Sequence, residues 1–377
     1  MNHPWFVDAI GVESEETIYS LPLDQWIGER NQLLLNDVLK VFKYQQPVYS
    51  AEYELIGPNQ STIVNYNIVP LLDNSTGGVV IVLEDISAEK RAMMTLGRYM
   101  SPALAKQVME EGGGELGGKR QKVTVLFSDI RSFTTFTERM EPHDVVELLN
   151  EHLSDAVDAI LAESGILDKY IGDAVMAVFG IPFVSGADAI HACNTALRMR
   201  DSLAAANERR RERGEQELRI GIGINTGECL VGNIGNKQRM EVSDHCNLAS
   251  RTEGLTKYYA VQTLVTEYTL QETGDCFVVR EIDRVIVVGR SHRVRIYELL
   301  GRRGDTLDSR VAAACAEYAR GLELYRAREF AEAAAVFEEN VRKNDDAPSR
   351  VLLDRCRAYV AQPPPPDWDG VHKAGSK

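Results

Sequence analysis

The stretch from Gly165 to Gly180 reads G-I-L-D-K-Y-I-G-D-A-V-M-A-V-F-G. Two apolar runs, Ile166–Ile171 and Ala174–Phe179, flank the dipeptide Gly172-Asp173. A Gly-Asp pair between two β-type segments predicts a hairpin, because glycine supplies the positive φ that tight hairpin turns need. The sequence therefore predicts a rigid hairpin that presents the carboxylate of Asp173 at its turn.

A second carboxylate follows another predicted strand. The run Val123–Phe127 is apolar and rich in β-branched residues, and it leads directly into Ser128-Asp129-Ile130. Two strands that each end at an aspartate suit a pair of divalent cations, since such cations prefer oxygen ligands on a rigid scaffold. Taken singly, Asp129 is equally well explained as a helix N-cap and Asp173 as a turn residue.

Five motifs occur in a fixed order along the chain, and their combination is far more specific than any one of them. They are F-S-D-I-R-S-F-T (Phe127–Thr134), L-D-K-Y-I-G-D (Leu167–Asp173), G-I-G-I-N-T-G-E (Gly221–Glu228), G-N-I-G (Gly232–Gly235) and N-L-A-S-R (Asn247–Arg251). Together they closely resemble the catalytic domain of class III nucleotidyl cyclases, in particular bacterial adenylate cyclases. The resemblance implies an α+β fold with a ferredoxin-like palm, and an enzyme that converts ATP to 3′,5′-cyclic AMP and pyrophosphate.

The resemblance also implies which residues hold metal and phosphate. Asp129 and Asp173 would bridge two Mg²⁺ (or Mn²⁺) ions per site, and the main-chain carbonyl of Ile130 would complete one coordination shell. The main-chain N–H groups near Phe133 and Thr134 open a predicted helix, and they would face phosphate oxygens.

Two residues of a predicted helix are expected to act on the sugar and the α-phosphate of the nucleotide. Asn247 and Arg251 are four residues apart, so they share a face if residues 245–257 form a helix. In the family the asparagine positions the ribose, and the arginine stabilises charge at the α-phosphate through its planar fork. Each family site takes its aspartates from one chain and its Asn/Arg pair from the other, so a homodimer is expected. Without the motif context, Arg251 is simply an exposed helix arginine.

Lys169 is the residue that bears on the choice of nucleotide. The family's adenylate cyclases carry a base-reading lysine at this position, whereas guanylate cyclases usually carry glutamate. A lysine can only donate hydrogen bonds, which suits the N1 acceptor of adenine and points to ATP. The plain alternative is a solvated strand lysine. The motif G-G-[DE]-E-F is absent, which argues against a diguanylate cyclase.

Two departures from the family pattern leave the rate of turnover open. The stretch R-M-E-V-S-D-H-C-N (Arg239–Asn247) is about three residues shorter than its family counterpart, and the missing part includes a second base-reading residue. Val288 stands where a phosphate-binding lysine is expected, and nearby Arg290 is the candidate substitute. The expectations are therefore a cyclase with weakened activity or, alternatively, a catalytically impaired pseudocyclase that acts as a nucleotide-binding or signalling interaction module.

The composition of the chain limits the kinds of binding partner that are expected. The 377 residues carry a formal net charge of −14, which argues against a nucleic-acid partner and requires any nucleotide site to be made locally positive. The six cysteines form no C-x-x-C pair, so buried thiols are expected and a zinc site is not. No apolar run approaches ~18 residues and no signal-peptide pattern is present, which predicts a cytoplasmic protein without a membrane segment.

The flanking regions predict further modules. Residues 1–86 contain a helix over Asn31–Phe42 and three β-type runs, resembling part of a PAS domain that serves for sensing or for packing. Residues 87–116 are expected to be a helical connector, 117–302 the catalytic domain, and 303–377 a helical extension of the tetratricopeptide type with a proline-rich tail. One helix-turn-helix unit cannot form a solenoid, so packing on the catalytic domain is expected. Trp368 is expected to dock back through its indole.

The catalytic region is predicted to alternate strands and helices around a largely antiparallel sheet. The predicted elements are a strand at 122–128, a helix at 142–163, the hairpin at 165–180, a helix at 186–213, a strand at 218–225, a hairpin at 227–242, a helix at 245–257, and strands at 262–266, 276–282 and 285–298.

Overall fold

A computed structural model describes residues 22–27, 29–57, 61–71, 78–111, 119–138, 140–233, 240–242, 246–286 and 293–373. The chain divides into two compact units, and the boundary falls between Arg98 and Tyr99. Each unit is built around hydrophobic cores of its own.

The first unit is a three-stranded antiparallel meander covered on one face by a helix. Its elements are α1 (Leu23–Ile27), a 3₁₀ turn (Glu29–Asn31), α2 (Gln32–Tyr44), β1 (Val48–Ile56), β2 (Ser61–Leu71), β3 (Gly78–Asp85) and α3 (Ser87–Leu96). The helix α2 packs apolar residues such as Leu34 and Val38 onto the sheet. Its buried Asp37 accepts a hydrogen bond of 2.7 Å from the Tyr66 hydroxyl, which fixes α2 to β2. The predicted helix and three strands are confirmed.

The second unit contains a nine-stranded mixed sheet. Its strands are β4 (Lys119–Ile130), β5 (Ile166–Ile171), β6 (Ala174–Phe179), β7 (Ile220–Asn233), β8 (Met240–Val242), β9 (Thr263–Thr266), β10 (Phe277–Ile286), β11 (Arg293–Arg302) and β12 (His372–Lys373). The order is β12-β10-β11-β9-β7-β4-β6-β5, and β8 pairs with β7. Only the β7–β9 and β10–β12 pairs are parallel among the described strands, so the predicted largely antiparallel sheet is confirmed.

The helices of this unit are α4 (Pro102–Glu111), α5 (Phe133–Thr137), α6 (Pro142–Ala162), α7 (Asp188–Glu212), α8 (Cys246–Tyr259), α9 (Glu267–Thr273), α10 (Ser309–Arg326), α11 (Phe330–Asn344) and α12 (Ala347–Ala361). Within the sequence β4-α6-β5-β6-α7-β7, the strands lie in the order β7-β4-β6-β5. In a four-strand unit this is the order fourth, first, third, second, which defines the predicted ferredoxin-like palm.

Two helix layers cover opposite faces of the palm. Along β7, the even positions Ile220, Ile222 and Ile224 enter the core shared with α6 and α7. The odd positions Gly221 and Gly223 face α8 instead, because successive strand residues point to opposite faces.

Several boundaries differ from the predictions. β7 runs unbroken from Ile220 to Asn233, where a strand end near 225 was expected. The helices α9 and α12 were not predicted, and α12 makes the extension a three-helix unit rather than one helical hairpin. Pro348 occupies the first turn of α12, where its missing N–H costs no hydrogen bond.

The C-terminal helices pack on the nine-stranded sheet, as expected. Residues of α10 to α12 share one buried core with α8, β9, β10 and β11. The Trp368 indole packs edge-on against the ring of Tyr325, 5.2 Å between centroids, and donates to the Val371 carbonyl at 3.2 Å. The predicted docking of the tail through its indole is confirmed.

Among the cysteines whose environment the structure describes, three are buried: Cys193, Cys229 and Cys356. Cys276 departs from the expectation because it is exposed. Within the described ranges, no helix combines the length and the apolar character that crossing a membrane requires.

Candidate active site

The two predicted metal-binding aspartates reach the same edge of the sheet. Ser128 of β4 pairs with Val175 of β6, so Asp129 continues the strand beside the β5–β6 turn. That turn is Gly172-Asp173, and Gly172 has the positive φ of 66° that the hairpin pattern predicted. Both carboxylates therefore end neighbouring strands, and both residues are half-buried. Ile130 is the next residue of β4, and its side chain is buried in the core.

A buried histidine lies behind this edge, and the sequence reasoning did not single it out. His152 of α6 is 8% exposed, and burial lowers its pKa, although the nearby Asp173 carboxylate opposes that effect. A neutral imidazole leaves the charge of Asp173 available to a cation. The signal in the sequence was the spacing of Leu148, His152 and Ala156, which lie on one buried stripe of α6.

The chain beyond Asp129 is held by Arg131. Its main-chain N–H donates to the Arg219 carbonyl at 2.8 Å, and its guanidinium donates to the carbonyls of Ile220 and Val261. Burial lowers the pKa of this arginine. The contacts tie the end of β4 to the start of β7 and to the segment that precedes β9. These main-chain partners fix the segment that directly follows Asp129.

The residues predicted to face phosphate follow immediately. Ser132 has a left-handed φ of 56°, which turns the chain into the short helix α5. Phe133, the first residue of α5, packs against the core under α6 and α7, whereas Thr134 is exposed. Both residues thus lie next to the aspartate edge, and their predicted role at phosphate stays a prediction.

Lys169 lies on the hairpin strand β5, four residues before Asp173. A bulge between Leu167 and Lys169 interrupts the pairing of β5 with β6 and inserts Asp168 as the extra residue. The Lys169 ammonium lies 3.1 Å from Asp168 Oδ2, and the Lys169 side chain is 30% exposed. This contact lacks hydrogen-bond geometry, so Asp168 Oδ2 is buried without a hydrogen bond. The bulge therefore sets where the predicted base-reading group points.

The glycines of the G-I-G-I motif let α8 lie directly on β7. A Cβ at Gly223 would lie 2.1 Å from the Glu253 main-chain nitrogen and 2.5 Å from the Ala249 carbonyl oxygen. A Cβ at Gly221 would meet Thr256 Oγ1 at 2.3 Å. Only glycine permits this approach, and it fixes which side of α8 faces the sheet.

Asn247 and Arg251 lie on the opposite side of α8. At 3.6 residues per turn, Asn247 and Arg251 are half a turn away from the positions that touch β7. Both residues are exposed. The structure therefore brings Asn247 and Arg251 together on one face, as predicted, but that face points away from the sheet that carries Asp129 and Asp173 in the same chain.

The two departures from the family pattern lie largely outside the described residues. Val288 and Arg290 fall within 287–292, and residues 243–245 of the shortened stretch are likewise outside the described ranges. Met240–Val242 are described, and they pair with the end of β7 as strand β8.

A ferredoxin-like palm with two aspartates at one strand edge and an Asn/Arg pair on a neighbouring helix defines a class III nucleotidyl cyclase domain. Residues 118–301 match the family described as adenylate and guanylate cyclase catalytic domain. The chain belongs to this family through that domain.

Named relatives agree with this assignment. The chain is 35% identical over 311 residues to "Adenylate cyclase, terminal-differentiation specific" of Dictyostelium discoideum, covering 76% of this chain and 14% of the relative. It is 33% identical over 230 residues to "Adenylate cyclase 1" of Rhizobium meliloti (strain 1021), covering 59% and 34%. The chain therefore spans about a seventh and about a third of these relatives. Among solved structures it resembles the adenylyl cyclase CyaB from P. aeruginosa, with 34% identity, 51% of this chain and 100% of that chain covered, and a TM-score of 0.46.

Proposed function

We propose that this chain is an adenylate cyclase that converts ATP to 3′,5′-cyclic AMP and pyrophosphate at sites shared by two copies of the chain. One observation carries the proposal. Asn247 and Arg251 point away from the sheet edge that bears Asp129 and Asp173 in their own chain. A complete site then needs the aspartates of one copy and the Asn/Arg pair of another, which a homodimer supplies.

The residues at the strand edge fit hard divalent cations. Asp129, Asp173 and the Ile130 carbonyl offer only oxygen, the ligand that Mg²⁺ and Mn²⁺ prefer, and β4 and the hairpin hold them rigidly. Two such ions per site, when bound, would lower the pKa of the ribose 3′-hydroxyl and neutralise charge on the departing pyrophosphate. The role of the protein chain is to hold the two carboxylates at fixed positions. The contacts of Arg131 and the turn at Gly172 support this role.

The remaining groups act on the nucleotide itself. Asn247 of the second copy would hold the ribose so that its 3′-oxygen is in line with the bond to pyrophosphate. Arg251 would donate from its planar fork to α-phosphate oxygens, where negative charge develops in the transition state. The N–H groups of Phe133 and Thr134, with Arg290, would donate to the other phosphates.

Lys169 supports ATP as the substrate, because its ammonium can donate to adenine N1 and cannot accept from guanine. The names of the two curated relatives agree with this choice. The ion pair with Asp168 holds the lysine beside the turn that carries Asp173.

The flanking modules are proposed to set the geometry of the two copies. Residues 1–86 would form a sensor or packing module and 87–116 a helical connector that transmits its state to the catalytic domain at 117–302. The extension at 303–377 would support the catalytic domain rather than bind a partner, in agreement with the core that it shares with α8.

The shortened stretch Arg239–Asn247 supports a second candidate, a catalytically impaired pseudocyclase that binds nucleotide or partners. Insertion of three residues between Glu241 and Asp244 distinguishes the two candidates. A gain in turnover and in ATP preference would show an active site weakened by strand length. No turnover before or after the insertion would favour the pseudocyclase.

The direct test of the proposed function is a product assay. Purified protein is incubated with ATP or GTP and with Mg²⁺ or Mn²⁺, and the products are separated by chromatography. We expect cyclic AMP and pyrophosphate at a low rate, with a preference for ATP of roughly tenfold or less, since Lys169 reads the base without the second base-reading residue of the family and ~1.4 kcal/mol corresponds to a tenfold ratio. Cyclic GMP as the main product would contradict the choice of substrate.

A further inference from the structure

A buried carboxylate lies where the C-terminal extension meets the end of α8. Asp283 of β10 is 0% exposed. Its Oδ2 accepts hydrogen bonds of 2.6 Å from the Tyr259 hydroxyl and 2.6 Å from Arg355 Nη1. Its Oδ1 accepts from the Arg284 main-chain N–H at 2.7 Å. The carboxylate thus joins the sheet, the last residue of α8 and the helix α12.

The positively charged side chain of this cluster belongs to the C-terminal extension. Arg355 of α12 is 7% exposed, and its guanidinium contacts the Tyr325 hydroxyl of α10 at 3.4 Å. It also donates to the hydroxyls of Tyr258 and Tyr259, at 3.3 and 3.4 Å. Burial and the Asp283 carboxylate raise the pKa of Tyr259, which keeps this hydroxyl protonated as a donor. A buried charge pair of this kind is directional, so it specifies one arrangement of the elements it joins.

One contact reaches the outward face of α8. Tyr258 lies seven residues after Arg251 and eleven after Asn247, so all three share a face of the helix. Tyr258 is 46% exposed, and its hydroxyl accepts a hydrogen bond from Arg355. The extension therefore contacts the same helix face that carries the two residues predicted to act on ATP.

We propose that Arg355 is a positioning residue, which fixes the orientation of α8 through Asp283, Tyr259 and Tyr258 and so aims Asn247 and Arg251 out of the chain. The kinetic consequence rests on the proposed cyclase function. The extension is then part of the catalytic apparatus, because β7 supports one side of α8 and the extension fixes its C-terminal end.

The chain contains a matched control for this role. Arg280 of β10 is 8% exposed and also joins the sheet to the extension, through ion pairs with Glu298 and with Asp346 at the start of α12. Its guanidinium also lies over the ring of Tyr318 in α10. Within the described part of the chain, the side-chain hydrogen bonds and ion pairs of Arg280 reach Glu298 and Asp346 but no residue of α8. Arg280 thus matches Arg355 in type, burial and interface, and differs in its link to α8.

The experiment compares Arg355→Met with Arg280→Met in the full chain. Both variants are expected to lower thermal stability. Arg355→Met alone should raise amide hydrogen exchange across Cys246–Tyr259, and it should lower kcat by about tenfold to a hundredfold with KM for ATP unchanged, since a small misplacement of a catalytic group costs this much. Tyr258→Phe, which removes one half-exposed hydroxyl, should lower kcat in the same direction by a smaller factor and leave the fold intact.

Three outcomes decide the inference. Equal hydrogen exchange across α8 in the two arginine variants would overturn it, and so would equal losses of kcat, because the extension would then only stabilise the fold. If Arg355→Met does not fold, an unchanged kcat in Tyr258→Phe overturns it. If the unaltered chain makes no cyclic nucleotide, the proposed function fails, and the hydrogen-exchange comparison still decides whether Arg355 positions α8.

Discussion

Substitutions of Asp129 and Asp173 are expected to lower the rate of cyclisation more than any other single substitution. Asp129→Asn and Asp173→Asn should each abolish cyclisation, because a neutral amide cannot hold two dications together. The expected loss is at least ~10³-fold, since removal of a catalytic metal costs several kcal/mol of transition-state stabilisation. The measurement is the initial rate of cyclic AMP formation. Because both residues lie half-buried at a strand edge, the circular dichroism spectrum should not change.

The control is Asp201→Asn, which removes an exposed carboxylate of the same catalytic domain. Its rate should equal that of the unaltered protein. If either edge variant keeps more than about a tenth of the original turnover, the assignment of both aspartates to metal is wrong.

A substitution at Lys169 tests whether this residue recognises the base of the nucleotide. Lys169→Gln removes the charge and keeps a donor and an acceptor at this position, so discrimination between adenine and guanine should disappear. We expect the ratio of kcat/KM for ATP to that for GTP to fall to about unity. An unchanged ratio would show that Lys169 is a solvated strand lysine whose partner is Asp168 alone.

Among the contacts between secondary-structure elements, the contact between β7 and α8 is expected to be the most sensitive to substitution. Gly223→Ala would push a methyl group against main-chain atoms of Glu253 and Ala249, neither of which can rotate aside. The free energy of unfolding should fall by about 1–3 kcal/mol, the usual cost of overpacking. Denaturant unfolding measures this change.

Gly254→Ala provides the comparison on the same helix, because nothing lies within 4 Å of a Cβ built there. Replacing a helical glycine by alanine should raise the free energy of unfolding by roughly 0.5–1 kcal/mol. Equal losses in the two variants would mean that the close approach of α8 to β7 does not govern stability.

The hairpin and the largely antiparallel sheet were predictable because their strands and helices carry strong local signals, whereas the ferredoxin-like palm was implied by the resemblance of the five motifs to the cyclase family. The Gly172-Asp173 turn and the apolar strands around it specified the hairpin, and the Asn247–Arg251 spacing specified a shared helix face. The sequence could not tell which way that face points. That direction depends on long-range packing of Gly221 and Gly223 against α8, which spacing within one element cannot reveal.

The errors also have local causes. The helix α12 was not predicted, although Pro348 is compatible with the first turn of a helix. His152 escaped notice because a histidine on an apolar stripe is usually a core residue. The ion pair between Arg355 and Asp283 joins residues 72 positions apart, and no periodic pattern signals such a pair.

For the whole molecule, the two halves of the site lie on different elements with different supports. The strands β4, β5 and β6 hold the aspartates, while β7 packs behind α8 and the C-terminal extension contacts the C-terminal end of α8. In the proposed homodimer, Asn247 and Arg251 on the outward face of α8 would reach the aspartates of a second copy of the chain. Under this proposal each protomer would contribute one half of each of two sites, and a monomer would be inactive.

Mixing two inactive variants tests this arrangement. Asp173→Asn lacks the acidic half of both sites in its own homodimer, and Arg251→Ala lacks the helix half. A heterodimer of the two contains one intact site. With random exchange at equal concentrations, half of the dimers are mixed and half of their sites are intact, so about a quarter of the original activity should return.

The matched control mixes Asp129→Asn with Asp173→Asn, both of which damage the acidic half, and it should restore nothing. Subunit exchange is verified by co-purification of differently tagged chains. Recovery of about a quarter of the activity in the first mixture and none in the second is the result we predict. No recovery in the first mixture, with exchange demonstrated, would contradict a site shared between two copies.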